Sequence, residues 1–191
     1  LDFIEVHPYA NGSHGGRLDE LILSVVPERL KKYRKPVLIG ECGLSSAPPR
    51  ATLEVAARAR VGVRNAIWAS VVSGAMNGRM LWWQDGYDQF EGADLCSQYQ
   101  GAAVHAAAFV HGVDFTGFAP VPCEPSDGLR GAIIGNNKVR LGWFRDPRCG
   151  PPDWPEEPLS GQTVVMEGPG DSWRVSFFDP VTGKSTGESR L

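Results

Sequence analysis

The run Val37-Leu38-Ile39-Gly40-Glu41-Cys42-Gly43, opened by Pro36, constrains the fold more than any other stretch. It is apolar throughout except for one carboxylate. A run with no polar face suits a strand covered on both sides, as in a parallel sheet. Parallel strands need crossover connections, usually helices. The flanking sequence supplies them.

Upstream, residues 2–9 alternate as a strand, with Phe3, Glu5, His7 and Tyr9 on one face and Ile4 and Val6 on the other. After a Gly- and Asn-rich loop at 10–17, Leu21, Ile22, Val25, Val26 and Leu30 recur at helical spacing within Leu18 to Tyr33, and Pro27 predicts a kink or break there. Downstream, an Ala-rich helix is expected from about Leu53 to Met76, carrying Trp68 as a core residue, and Gly78 closes it before a third apolar strand, Met80-Leu81-Trp82-Trp83. A further Ala-rich helix falls near Tyr99 to Phe109. Strand and helix alternate here as parallel βα units do.

Beyond Asp114 the texture changes. Gly and Pro become frequent, and the short runs Gly131–Ile134, Val139–Phe144, Thr163–Met166 and Trp173–Phe178 are separated by turn residues, the pattern of a small all-β sandwich. The expected architecture is therefore α/β over residues 1–113, followed by a β-sandwich over 114–191. In Asp179-Pro180-Val181-Thr182-Gly183, Pro and Gly stand where a hairpin turn uses them.

Each of the three βα strands closes on polar residues: His7-Pro8-Tyr9, Gly40-Glu41-Cys42-Gly43 and Trp82-Trp83-Gln84-Asp85. In a closed (β/α)8 barrel the catalytic groups sit at the C-terminal strand ends. Glu41 then has the location of a nucleophilic carboxylate, with His7 and Tyr9 one strand earlier available to orient it. Trp82 and Trp83 point to opposite faces, so one of them is available as an aromatic floor for a sugar ring and the other packs on helices. Asp85 is a candidate for holding a sugar hydroxyl. Glu5, two residues deeper than His7, reads as an inner-layer polar residue.

With these residues in that order, the chain resembles clan A glycoside hydrolases, in particular cellulase- and mannanase-like members related to family 5. The shared features are His7 and Tyr9 as the His-x-Tyr of a sixth barrel strand, Gly40, Glu41 and Gly43 as the Gly-Glu-x-Gly of a seventh, and Trp82, Trp83 and Asp85 at a Trp-rich eighth. Arg64 to Ser70 and Ser73-Gly74-Ala75 resemble the segment preceding that last strand, and Phe178 to Gly183 resembles the end of a β-sandwich named for collagen binding that often follows such barrels. The resemblance implies a partial TIM barrel made of the last three strand-helix units, and a retaining hydrolase of β-linked glycans with Glu41 as nucleophile. It also implies no cofactor and no metal, and a secreted parent protein. Family members take their acid/base from an Asn-Glu pair on the fourth strand, and no Asn-Glu pair occurs here. The expected partners are a β-glycan substrate and either the missing N-terminal half-barrel or a second copy of the chain. A non-catalytic carbohydrate- or matrix-binding module is the alternative reading.

Other classes find little support. The formal net charge is −3 and no Lys/Arg run is present, so nucleic acid is not an expected partner. No stretch approaches the ~20 apolar residues of a membrane span, and the sequence shows no charged n-region, apolar h-region or cleavage site before the first strand, as expected of a piece of something longer. Cys42, Cys96, Cys123 and Cys149 form no C-x-x-C pair, which argues against zinc. Cys42 reads as a small buried hydrophobe, and a Cys123–Cys149 disulfide would suit secretion.

Overall fold

A computed structural model describes residues 2–10, 17–43, 53–79, 95–149, 159–168 and 172–190, with backbone alone for 53–60 and 95–98. The fold mixes helices with small sheets. The described elements are β1 (Ile4–Val6), α1 (Leu18–Tyr33), β2 (Val37–Ile39), α2 (Leu53–Val72), α3 (Leu95–Val110), β3 (Ala119–Val121), β4 (Cys123–Pro125), β5 (Arg130–Gly135), β6 (Arg140–Arg145), β7 (Val164–Met166), β8 (Arg174–Asp179) and β9 (Lys184–Arg190). Among the described residues all helices precede residue 111 and all antiparallel strands follow residue 118. The expected third strand, at 80–83, lies outside the described residues.

β1 and β2 pair in parallel, with α1 as the connection between them. Leu18, Ile22 and Val26 of α1 are fully buried against this pair and α2. That buried stripe explains why Pro27 does not break the helix: the loss of one backbone hydrogen bond, about 3 kcal/mol in an exposed helix, is offset by packing on both sides of it. α1 carries Asp19 and Glu20 in its first turn and Lys31 and Lys32 in its last, which complements the helix dipole.

Over residues 61–72 α2 is buried nearly all round: Val61, Val63, Ala66, Ile67, Trp68, Ala69 and Val72 are buried, as are Asn65 and Ser70. A helical stretch buried on nearly every side must be surrounded, and α2 packs on α1, on α3 and on the β5–β6 hairpin. Trp68 reaches across this junction to Phe109 of α3 and Phe178 of β8, with ring centroids 5.3 and 5.7 Å away, in tilted and edge-on geometries that aromatic pairs favour.

The strands after residue 118 form a three-stranded sheet in the order β3-β5-β6 and two pairs, β4-β7 and β8-β9. The expected C-terminal hairpin turn is present. Asp179 accepts from the Val181 N–H and from the Thr182 hydroxyl, and Gly183 adopts φ +70. That turn rests on α3, where a Cβ at Gly183 would strike the His105 ring. Cys123 and Cys149 are free thiols, so the disulfide is not formed. Among the described residues no helix is long and apolar enough to cross a membrane.

One buried ion pair ties the first helix to the antiparallel sheet. Arg145 of β6 donates from Nε to Asp19 at 2.6 Å and from Nη2 to Glu20 at 2.8 Å, with both Asp19 and Arg145 almost fully buried. Burial holds the Asp19 carboxyl above its ordinary value, outweighing the opposite pull of Arg145. Desolvation thus exceeds attraction, the usual balance for a buried pair. A carboxyl with a raised folded value contributes stability below its unfolded value and loses that contribution as pH rises through the raised one. Removing one partner strands a buried charge, so Arg145→Met alone should cost about 3–5 kcal/mol in urea unfolding, whereas Asp19→Leu with Arg145→Met should cost far less. Equal losses in the single and double variants would contradict this balance.

Candidate active site

The site begins with a break in strand register. Ile4, Glu5 and Val6 pair with Val37, Leu38 and Ile39, and the next pairing is Tyr9 with Gly43. His7 and Pro8 separate Val6 from Tyr9, but Gly40, Glu41 and Cys42 separate Ile39 from Gly43. The second strand therefore carries one extra residue, a β-bulge, and the chains rejoin through Gly43 N–H to Pro8 O at 3.2 Å and Ala10 N–H to Gly43 O at 3.1 Å.

The extra residue decides where Glu41 points. Strict alternation from Val37 and Ile39, both buried, would put Glu41 in the core. The bulge instead brings Glu41 to the face that carries Glu5, His7 and Tyr9, and sends Cys42 into the core. The Tyr9 hydroxyl donates to Glu41 Oε2 at 2.5 Å, in the range of a charge-assisted O–H···O bond. His7 Nδ1 lies 3.6 Å from the same oxygen, and His7 Nε2 lies 3.1 Å from Glu5 Oε1. His7 thus stands between two carboxylates, and a neutral imidazole can donate to one of them only.

Gly40 is what lets Glu5 lie there. A Cβ at Gly40 would collide with the Glu5 carboxylate and come within 2.8 Å of His7 Nε2. The far edge of β2 is held as firmly. Asn77 accepts from the Ile39 N–H and donates to the Ile39 carbonyl, both at 2.9 Å, so its amide mimics a neighbouring strand. Arg79, buried, donates to the Cys42 carbonyl at 3.1 Å and approaches the Cys42 sulfur at 3.3 Å. The segment Met76 to Arg79 therefore runs along β2 and pins the residues on either side of the bulge.

Of the residues expected from sequence, Glu41, His7 and Tyr9 come together here. Trp82, Trp83 and Asp85 lie outside the described residues. Trp68 is in the core. Glu5, read as an inner-layer polar residue, lies 3.1 Å from His7, and Asn77 and Arg79 were not anticipated at all. The one available signal for the latter two was their position, between the end of a buried helix and an expected strand. Among the described residues, no group of three or more His, Cys, Asp or Glu is arranged to hold a metal ion. The arrangement presents an oriented, half-exposed carboxylate beside an imidazole, which is the equipment for nucleophilic or base chemistry on a ligand approaching from that face.

No family model, curated protein or solved structure matches the chain.

The Gly40 notch gives a direct test. Gly40→Ala should displace the Glu5–His7 pair and destabilise the fold by about 1–3 kcal/mol, the range for overpacking. Gly101→Ala in α3, where a Cβ meets nothing within 4 Å, should instead stabilise by about 0.5–1 kcal/mol through helix propensity. The same sign for both in thermal unfolding would contradict the close approach at Gly40.

Proposed function

We propose that the chain is the C-terminal part of a retaining glycoside hydrolase acting on β-linked glycans, with Glu41 as nucleophile. The observation that carries this reading is the bulge that turns Glu41 out of the core onto Tyr9 and His7. A retaining enzyme needs an ionised carboxylate beneath the anomeric carbon, and a second, protonated one about 5–5.5 Å away. A phenol donating to Glu41 fixes its rotamer. In this reading Glu41 forms the glycosyl ester, Tyr9 holds the carboxylate and His7 orients it, while Trp82 or Trp83 lies under the sugar and Asp85 holds a hydroxyl. The acid/base residue is supplied by the part of the barrel that precedes this chain. Residues 1–113 are then the last three strand-helix units of a (β/α)8 barrel and residues 114–191 a β-sandwich, in a secreted parent protein.

The alternative, a non-catalytic carbohydrate- or matrix-binding module, draws on the size of the antiparallel portion. Hydrolysis of an activated aryl β-glycoside separates the two. In an assembly that includes the preceding barrel strands, Glu41→Gln should lower turnover by several orders of magnitude with the fold intact, and His7→Ala should cost less. Retention of more than about a tenth of the rate by Glu41→Gln would exclude it as nucleophile.

β1 is hydrogen-bonded on one side only among the described residues, and Phe3 beside it is exposed. An open parallel edge invites a further strand. The chain alone should therefore self-associate or bind the preceding half-barrel, and a strictly monomeric, folded species by light scattering at micromolar concentration would contradict this.

A further inference from the structure

A second site lies away from Glu41, at the end of the antiparallel portion where the β5–β6 turn, the β3–β4 joint and the segment after β7 converge. They enclose a shallow pocket of about 420 Å³ lined by Pro120, Pro122, Asn136, Asn137, Arg140 and Gly168, among others. That volume falls within the ~300–1,000 Å³ of small-ligand sites. Arg140 is its cation, and its guanidinium is fixed from several sides. It stacks over the Trp173 ring at 4.8 Å, it donates from Nη1 to the Glu167 carbonyl at 2.5 Å, and it fits against Gly168, where a Cβ would lie 2.9 Å from Nη1 and 3.1 Å from Nη2.

Among the described residues the fixed cation is not neutralised. No carboxylate among the described residues pairs with Arg140, and its buried Nε has no hydrogen-bond partner. A planar fork held rigid in this way, with unused N–H bonds at its Nη end, is suited to a carboxylate in bidentate geometry. The surroundings narrow the class further. Asn137 offers an exposed amide beside the cation, and the rest of the rim is proline and glycine with Val121, Asn136 and Glu167, rather than a deep apolar pocket for an anchoring side chain. A carboxylate that carries its own hydroxyl groups fits such a rim.

We propose that this pocket binds an acidic saccharide, with Arg140 taking the carboxylate of a uronic acid unit and Asn137 a neighbouring hydroxyl. The proposal goes beyond the hydrolase reading and does not depend on Glu41. Calorimetric titration of the full chain with trigalacturonate tests it, with cellotriose as the neutral control and hexaglutamate as the acidic peptide control. The chain should bind trigalacturonate and bind neither control comparably. Affinity should fall at least tenfold in Arg140→Gln and severalfold in Asn137→Ala, an exposed change that leaves folding intact if Arg140→Gln does not. Glu41→Gln should bind as the parent chain does, whatever its effect on turnover. Absence of trigalacturonate binding by the parent chain, or undiminished binding by Asn137→Ala, overturns the assignment. Equal binding of hexaglutamate overturns the saccharide class, and equal binding of cellotriose overturns the role of the carboxylate.

Discussion

The burial of α2 over residues 61–72 is the constraint that organises this molecule. A helical stretch with almost no solvent face must have neighbours all round. Those neighbours are α1 with its parallel strands, α3, and the β5–β6 hairpin. One buried cluster therefore runs from Val6 through Trp68 to Trp143 without interruption. The Trp68–Phe109–Phe178 contact and the Asp19–Arg145 pair span the same junction, one by apolar area and one by charge. They differ in kind: the aromatic contact adds stability, while the ion pair chiefly fixes orientation, because its desolvation cost rivals its attraction.

The site depends on that frame but is set by a smaller device. A single extra residue in β2 turns Glu41 over, and everything near it accommodates the turn. Gly40 leaves room for Glu5, Asn77 replaces a strand along the far edge, and Arg79 holds the Cys42 carbonyl. Bulges recur next to active sites because they aim one side chain without disturbing the sheet. Here the aimed side chain is a carboxylate, and a tyrosine hydroxyl waits at hydrogen-bond distance.

Much of this frame was legible in the sequence because it follows from periodicity. The alternation of Ile4 and Val6 with Glu5 and His7, the helical stripe of α1 and the Asp179 to Gly183 turn each appear where pattern and turn chemistry put them. The elements that escaped lack such a pattern. β9 is polar and exposed throughout, and β3 and β4 are short and contain proline, so no apolar repeat marks them. Pro27 misleads because tertiary packing overrides a local penalty. Glu41 was chosen for its place in the strand, yet strict alternation would have buried it; the glycines at 40 and 43 were the trace of the bulge. The closeness of Glu5 to His7 depends on that register and could not be read from spacing.

The claim that Glu41 is a nucleophile, and not just a well-oriented carboxylate, is tested most directly by trapping its ester. An activated 2-deoxy-2-fluoro-β-glycoside has a leaving group that departs without acid assistance, and its intermediate is slow to hydrolyse. After incubation with an assembly that includes the preceding strands of the proposed barrel, peptide mass mapping should find one fluoroglycosyl group, attached to Glu41. A label on any other residue, or none in a preparation that turns over the parent glycoside, would contradict the account.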